Sequence, residues 1–139
     1  RDHTSVCWRA LVLGAGGLLK GKRGTTHWSA HDFLTEFGAI PIDERIVEDG
    51  KLITAGGVTS GIDFGLVLVA RLLGQAEAET VQLTLEYAPA PPFRSGTPTE
   101  ASPAVLAQAK ERLAGSRRVR EEMFARWRDA RAAPVRAHG

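Results

Sequence analysis

The sequence predicts an α/β sandwich with few strands, and three observations carry the prediction. The only cysteine, Cys7, lies at a sharp turn between a strand end and a helix start. Short β-branched or aromatic segments then alternate with helical ones, the pattern of layered α/β architectures. Glycine is frequent, at 15 of 139 residues, which suits tight strand–helix turns. Such an elbow belongs in the middle of an α/β domain, and here it stands at the very start.

Taken in order, a helix is expected over 8–15, ended by Gly16-Gly17, with Leu18-Leu19 closing the apolar contact. Gly21-Lys22-Arg23-Gly24 reads as a turn. Thr25-Thr26-His27-Trp28 is β-branched and aromatic and reads as a short buried strand. Ser29 suits the N-cap of a helix over 30–37, stopped by Gly38. Residues 39–42 are extended. Residues 45–48 and 51–54 form a hairpin around a two-residue Asp49-Gly50 turn. The glycine-rich loop 55–61 enters a helix capped by Thr59 or Ser60. That helix, 62–73, is apolar almost all round and is expected to be buried on most faces until Gly74. Residues 76–87 fit both periods, and their Ala and Glu content favours helix. A proline-stiffened segment, 88–93, and a loop lead to a helix opening at Ser102-Pro103, striped by Leu106, Ala109 and Leu113. Gly115-Ser116 is expected to break it. A last amphipathic helix repeats Val119, Met123 and Trp127. Residues 1–132 read as one domain and 133–139 as a frayed tail. No internal repeat is present.

Composition bounds the function. With 43% hydrophobic and 24% charged residues, the chain is an ordinary globular protein. The net charge of +2 comes from arginines in the last third. Acidic residues are interspersed among them, so they read as a solvated helix face, and nucleic acid is an unexpected partner. One cysteine excludes a disulfide framework or a cysteine-based metal site and suits a reducing, cytoplasmic compartment. No signal peptide is visible, and the apolar run 64–70 is too short to span a bilayer.

Chemistry concentrates at the elbow. A thiol at a helix N-terminus is favoured as thiolate by free N–H groups and the helix dipole, which suits Cys7 as a nucleophile. The alternative is a small buried hydrophobe. His27, twenty positions on, is placed by a strand–helix–strand crossover at the same sheet edge, where α/β active sites lie. It could orient a substrate or move a proton, or be a satisfied buried histidine beside Trp28. His31 reads as a surface helix residue. Gly56-Gly57-Val58-Thr59-Ser60-Gly61 either cradles an anion at a helix N-terminus or permits close strand–helix packing. It lacks the Gly-Lys-Ser/Thr ending of a phosphate loop. Asp63 complements the dipole of the following helix.

Ser5-Val6-Cys7, Gly17-Leu18-Leu19, Thr25-Thr26-His27-Trp28, the Asp49-Gly50 hairpin and Gly57-Val58-Thr59-Ser60-Gly61-Ile62-Asp63-Phe64 together resemble the ThiJ/PfpI superfamily, the class I glutamine-amidotransferase-like proteins. Residues 82–93, followed by Ser95-Gly96, look most like the isonitrile hydratases. The resemblance covers about 4–113. It implies a flavodoxin-like α/β/α sandwich, here its C-terminal portion without the N-terminal strands, acting as a homodimer. It implies that Cys7 attacks a small-molecule isonitrile and that hydration then releases an N-substituted formamide. It implies no metal and no organic cofactor. Trp8, His27, Gly57 and Thr59 fall at substrate-pocket or supporting positions. The chain departs from the pattern at Trp8, where the family has Thr, and at Arg9, where Gly is usual. The family's supporting carboxylate belongs to the part upstream of the elbow. Two further readings stay open: the ligand-sensing domain of AraC-type transcription regulators, which shares the elbow and the Thr-Thr-His-Trp segment, and a catalytically degenerate remnant.

Overall fold

Leu52–Ala55 is buried at all four residues, and the main sheet is assembled around it. The computed structural model describes residues 2–132. Its strands are β1 (His3–Val6), β2 (Arg23–Gly24), β3 (Ile40–Pro41), β4 (Ile46–Asp49) and β5 (Leu52–Ala55). β5 pairs parallel with β1 and antiparallel with β4, giving the order β1-β5-β4. The short β2 and β3 form a separate parallel pair. A strand covered on both faces needs a nearly continuous apolar run, which Leu-Ile-Thr-Ala supplies. Its polar exception, Thr54, is satisfied because its Oγ accepts the Thr25 backbone N–H at 2.9 Å.

Among the described residues five helices accompany the strands: α1 (Ala10–Ala15), α2 (His31–Glu36), α3 (Ser60–Leu73), α4 (Gln75–Thr84) and α5 (Pro103–Ala132). Ala10, Leu19, Leu34, Ala39 and Leu52 form the buried core, with Leu11, Leu13 and Phe37 packed against it. Gly14 has a specific reason in this packing. A Cβ there would lie 2.5 Å from ring atoms of Phe37, so only glycine lets α1 approach the end of α2. The chain falls into two compact units, one ending at Glu100 and one beginning at Ala101. The second contains α5. Among the described residues no helix is long and apolar enough to cross a membrane.

The mixed α/β architecture agrees with the sequence, while several local expectations are corrected. The strand expected over 25–28 lies at Arg23–Gly24 and pairs with β3, and it is β5 that lies beside β1. Thr25 and Thr26 are buried as expected, but their polar groups bond to the Thr54 side chain and the Cys7 carbonyl, which ends the ladder. The helix after them opens with a 3-10 turn, Trp28–Ala30. His27, not Ser29, caps it by accepting the Ser29 N–H on its ring. The hairpin exists one residue out of the expected register. Asp49 faces Leu52, leaving Gly50-Lys51 as the loop. Gly50, at φ 64°, supplies the positive φ that a two-residue hairpin needs at its first loop position. Asp49 stays in the strand because its carboxylate accepts the Arg23 N–H at 2.9 Å and pairs with Lys22 at 3.4 Å. The Arg23 bond, opposed by partial desolvation, holds that carboxyl below its ordinary range.

Helix α3 is not buried on most faces: Ser60 alone is buried, and Ile62 is 49% exposed. Helix α5 runs unbroken through Gly115-Ser116, where the Ser116 Oγ donates to the Leu113 carbonyl. An isolated helical glycine costs only about 1 kcal/mol, which a 30-residue helix absorbs. The expected stripe is also displaced. Val119 and Met123 are exposed, whereas Phe124 is buried, with the Trp127 ring 5.2 Å away. Arg128 and Arg131 lie over those two rings, so the arginines serve partly as cation–π partners. The tail expected to fray, 133–139, lies outside the described residues.

Candidate active site

The elbow begins where β1 ends. Val6 is extended, at φ −118° and ψ 140°, and the chain then turns into a 3-10 turn, Cys7–Arg9, that runs on into α1. Cys7 itself has φ 58°. The left-handed region costs a side-chain-bearing residue roughly 1–2 kcal/mol, so surrounding bonds must hold it there. Glu86, the other such residue among those described, follows the C-terminal end of α4, where this conformation is routine. Cys7 precedes its helix, and there the conformation needs a separate cause. That cause is visible at its carbonyl, which accepts the Ala10 N–H and the Thr26 Oγ–H, the latter at 2.8 Å. The thiol is free and half-buried.

Thr26→Val keeps the shape and removes the hydroxyl from a residue that is 1% exposed. A lost hydrogen bond of this kind is expected to cost about 0.5–1.5 kcal/mol. Urea unfolding would read it as a lowered midpoint at unchanged slope. An unmoved midpoint would show that Thr26 does not brace the elbow.

The residue after the cysteine brings the elbow to His27. The Trp8 and His27 rings meet edge to face, with centroids 5.5 Å apart and an interplanar angle of 88°. Trp28 lies on the histidine at 5.4 Å. His27 Nδ1 accepts the Ser29 N–H at 3.2 Å and lies 2.8 Å from the Ser29 hydroxyl. An Nδ1 acceptor places the proton of the neutral ring on Nε2. Gly57 approaches the same ring, since a Cβ there would lie 3.4 Å from His27 Cδ2. Trp8 of the elbow, His27 and Gly57 of the glycine loop are therefore neighbours, whereas the strand–helix–strand crossover expected to carry His27 to the elbow is absent, since β1 pairs with β5.

Thr59 is different. It is exposed, its side chain does not cap α3, and its carbonyl accepts Arg45 Nη2 at 2.8 Å. His31 is not a free surface residue. Its Nε2 donates to the Thr26 carbonyl at 3.1 Å and lies 3.2 Å from Thr25 Oγ, which ties α2 to the loop bracing Cys7. Nothing in the spacing of residues 25–31 announced that role. An open cleft of about 270 Å³ beside the loop is lined by Thr26, Trp28, His31, Arg45 and Gly57, among others, and Cys7 does not line it.

Asp63 does more than complement a helix dipole. It pairs with Arg45 Nε and accepts the Tyr87 hydroxyl at 2.5 Å. Burial pushes its carboxyl upward, but the bonds from Arg45 and Tyr87 outweigh that and hold it below the usual carboxylate range. The same bonds raise Arg45 and Tyr87 above their ordinary values. Arg45 and Tyr87 are far from Asp63 in sequence, and no local pattern could have found them. Among the described residues no group of three or more His, Cys, Asp or Glu side chains could hold a metal ion.

The model of the DJ-1/PfpI family matches residues 3–71, which include the elbow, His27 and the glycine loop. An isonitrile hydratase of Pseudomonas putida is 56% identical over 126 residues, covering 91% of this chain and 55% of that protein. The HTH-type transcriptional regulator CdhR of Pseudomonas aeruginosa is 39% identical over 67 residues, 47% of this chain and 20% of that protein. Among solved structures, a ThiJ/PfpI family protein from Pseudomonas syringae superposes with a TM-score of 0.79 at 49% identity, covering 82% of this chain and 47% of that one. The chain thus spans about half the length of these two Pseudomonas proteins, the hydratase and the solved ThiJ/PfpI structure.

Proposed function

The chain belongs to the DJ-1/PfpI family, and from that premise we propose that it carries the nucleophile portion of an isonitrile-hydratase-like site. The observation that carries the reading is Cys7 itself, held at φ 58° on a strand-to-helix elbow. The likeness to the Pseudomonas putida enzyme, extending over 91% of this chain, supplies the chemistry.

In this reading the Cys7 thiolate attacks the terminal carbon of the isonitrile. An S–C bond forms, a proton is delivered to that carbon, and the product is a thioimidate. Water then adds to the thioimidate carbon, the C–S bond breaks, and the thiolate returns as the N-substituted formamide leaves. The sum is isonitrile plus water to formamide, so no oxidant or cofactor enters. Trp8, the residue after Cys7, meets the His27 ring edge to face, so in this reading the two rings stand beside the nucleophile and shape the substrate's surroundings. Gly57 keeps the glycine loop beside the His27 ring, where a Cβ would reach Cδ2 at 3.4 Å, about van der Waals contact. Thr59 contributes through its carbonyl, which fixes the loop. The protein acts as a homodimer in the cytoplasm, where a reducing environment keeps a lone thiol active.

The test is the amount of N-cyclohexylformamide released from cyclohexyl isocyanide by the folded chain, followed by mass spectrometry. Release in proportion to protein is expected. Saturable binding of the isocyanide without formamide would overturn the enzyme reading. It would favour a ligand-sensing domain, the alternative that similarity to CdhR over 47% of the chain supports.

A further inference from the structure

Arg45 touches the glycine loop at both ends. The Gly56 N–H donates to its backbone carbonyl at 2.9 Å, and its Nη2 donates to the Thr59 carbonyl at 2.8 Å. Between these points the loop is closed on itself, with the Ser60 N–H and Oγ–H both donating to the Gly57 carbonyl, at 2.9 and 2.6 Å. A loop fixed at Gly56 and Thr59 has little freedom at Gly57, which stands next to the His27 ring: a Cβ there would lie 3.4 Å from His27 Cδ2.

The guanidinium is itself fixed. Its Nε is bound to Asp63 Oδ2, in the first turn of α3, while Asp63 Oδ1 holds the Tyr87 hydroxyl. Arginine is the side chain that can do this. Its planar fork offers Nε to one acceptor and Nη2 to another in a set geometry, whereas lysine presents a single rotatable ammonium. The pair is partly exposed, Arg45 at 52% and Asp63 at 25% of the side chain, so its Coulombic contribution to stability is small. A weak contributor to stability with directed bonds to both ends of one loop points to placement.

We propose that Arg45, oriented by Asp63 and Tyr87, is a positioning residue that sets the Gly56–Thr59 loop against His27 and so fixes the imidazole beside the Cys7 elbow. The catalytic consequence rests on the isonitrile-hydratase reading; the placement of the ring does not.

The experiment compares Arg45→Lys, Arg45→Gln and Tyr87→Phe in the same chain, with two readouts. One is the NMR shift of the His27 Cδ2–H, the atom facing Gly57. The other is kcat and KM for cyclohexyl isocyanide. Arg45→Gln is expected to move the His27 signal and to lower kcat by about tenfold, the equivalent of about 1.4 kcal/mol, with KM changed much less. Arg45→Lys should fail to restore either, because one ammonium cannot reproduce the fork. Tyr87→Phe should show the same changes in smaller measure, and it keeps the test open if an Arg45 variant does not fold. If Arg45→Lys keeps both the wild-type His27 signal and kcat, the positioning role is wrong. If the wild-type chain makes no formamide, the functional reading falls while the His27 signal still decides the placement.

Discussion

Replacing Cys7 by alanine is expected to bring formamide release from cyclohexyl isocyanide down to the level of the uncatalysed blank. The reaction as proposed has one covalent partner for the isonitrile carbon, and alanine removes it. Losses on deleting a nucleophile are commonly about 10³-fold or more, because the remaining groups can only bind and orient. The structure adds a second expectation that a purely structural cysteine would not meet. Cys7 holds φ 58°, a conformation that glycine adopts without steric cost. Cys7→Gly should therefore lose all activity while matching or exceeding the wild type in stability, by up to roughly 1 kcal/mol over Cys7→Ala. Parallel urea titrations and turnover assays on the two variants check this. Activity persisting in Cys7→Ala would remove Cys7 from the chemistry. A Cys7→Gly protein less stable than Cys7→Ala would show that the elbow is not strained.

The legible part of this site was the part carried by local chemistry. A thiol between a strand end and a helix start is readable from Ser5-Val6-Cys7 and the apolar run Leu11-Val12-Leu13 after it, and the elbow stands there. The alternation of short strands with helices pointed to the α/β class, and Gly38 and Gly74 ended helices at positive φ. The remainder was decided by side chains reaching across the fold. The strand expected over 25–28 ended early because Thr25 and Thr26 bond to Thr54 and Cys7, partners 29 and 19 residues away. The hairpin slipped by one residue because Asp49 is retained in the strand by Lys22 and Arg23, which no turn propensity registers. Helix α3 was expected to be buried because its residues are apolar, but hydrophobicity reports what a face prefers, and in the structure most of that face is only half covered.

Truncating Ile53 to alanine is expected to destabilise the unit that ends at Glu100 more than any surface change. Ile53 is 0% exposed and lies in the middle strand of the main sheet, opposite Thr4 on β1 and Glu48 on β4. Its neighbour Leu52 belongs to the core cluster, and successive strand residues point to opposite faces, so Ile53 fills the other face of β5. Removing it leaves a cavity that a strand bonded on both sides cannot close. Buried Ile→Ala changes cost about 2–5 kcal/mol. Total stabilities of domains are only about 5–15 kcal/mol, so this loss is a large fraction of what holds β1, and with it the Cys7 elbow, in register. Ile62→Ala is the comparison that gives the number meaning. Ile62 is equally apolar but 49% exposed, and its truncation should cost well under half as much, since little contact is lost. Urea unfolding followed by tryptophan fluorescence measures both. Equal costs at the two positions would mean that β5 is not the structural centre of the unit and that the exposed face of α3 bears more of its stability than its coverage implies.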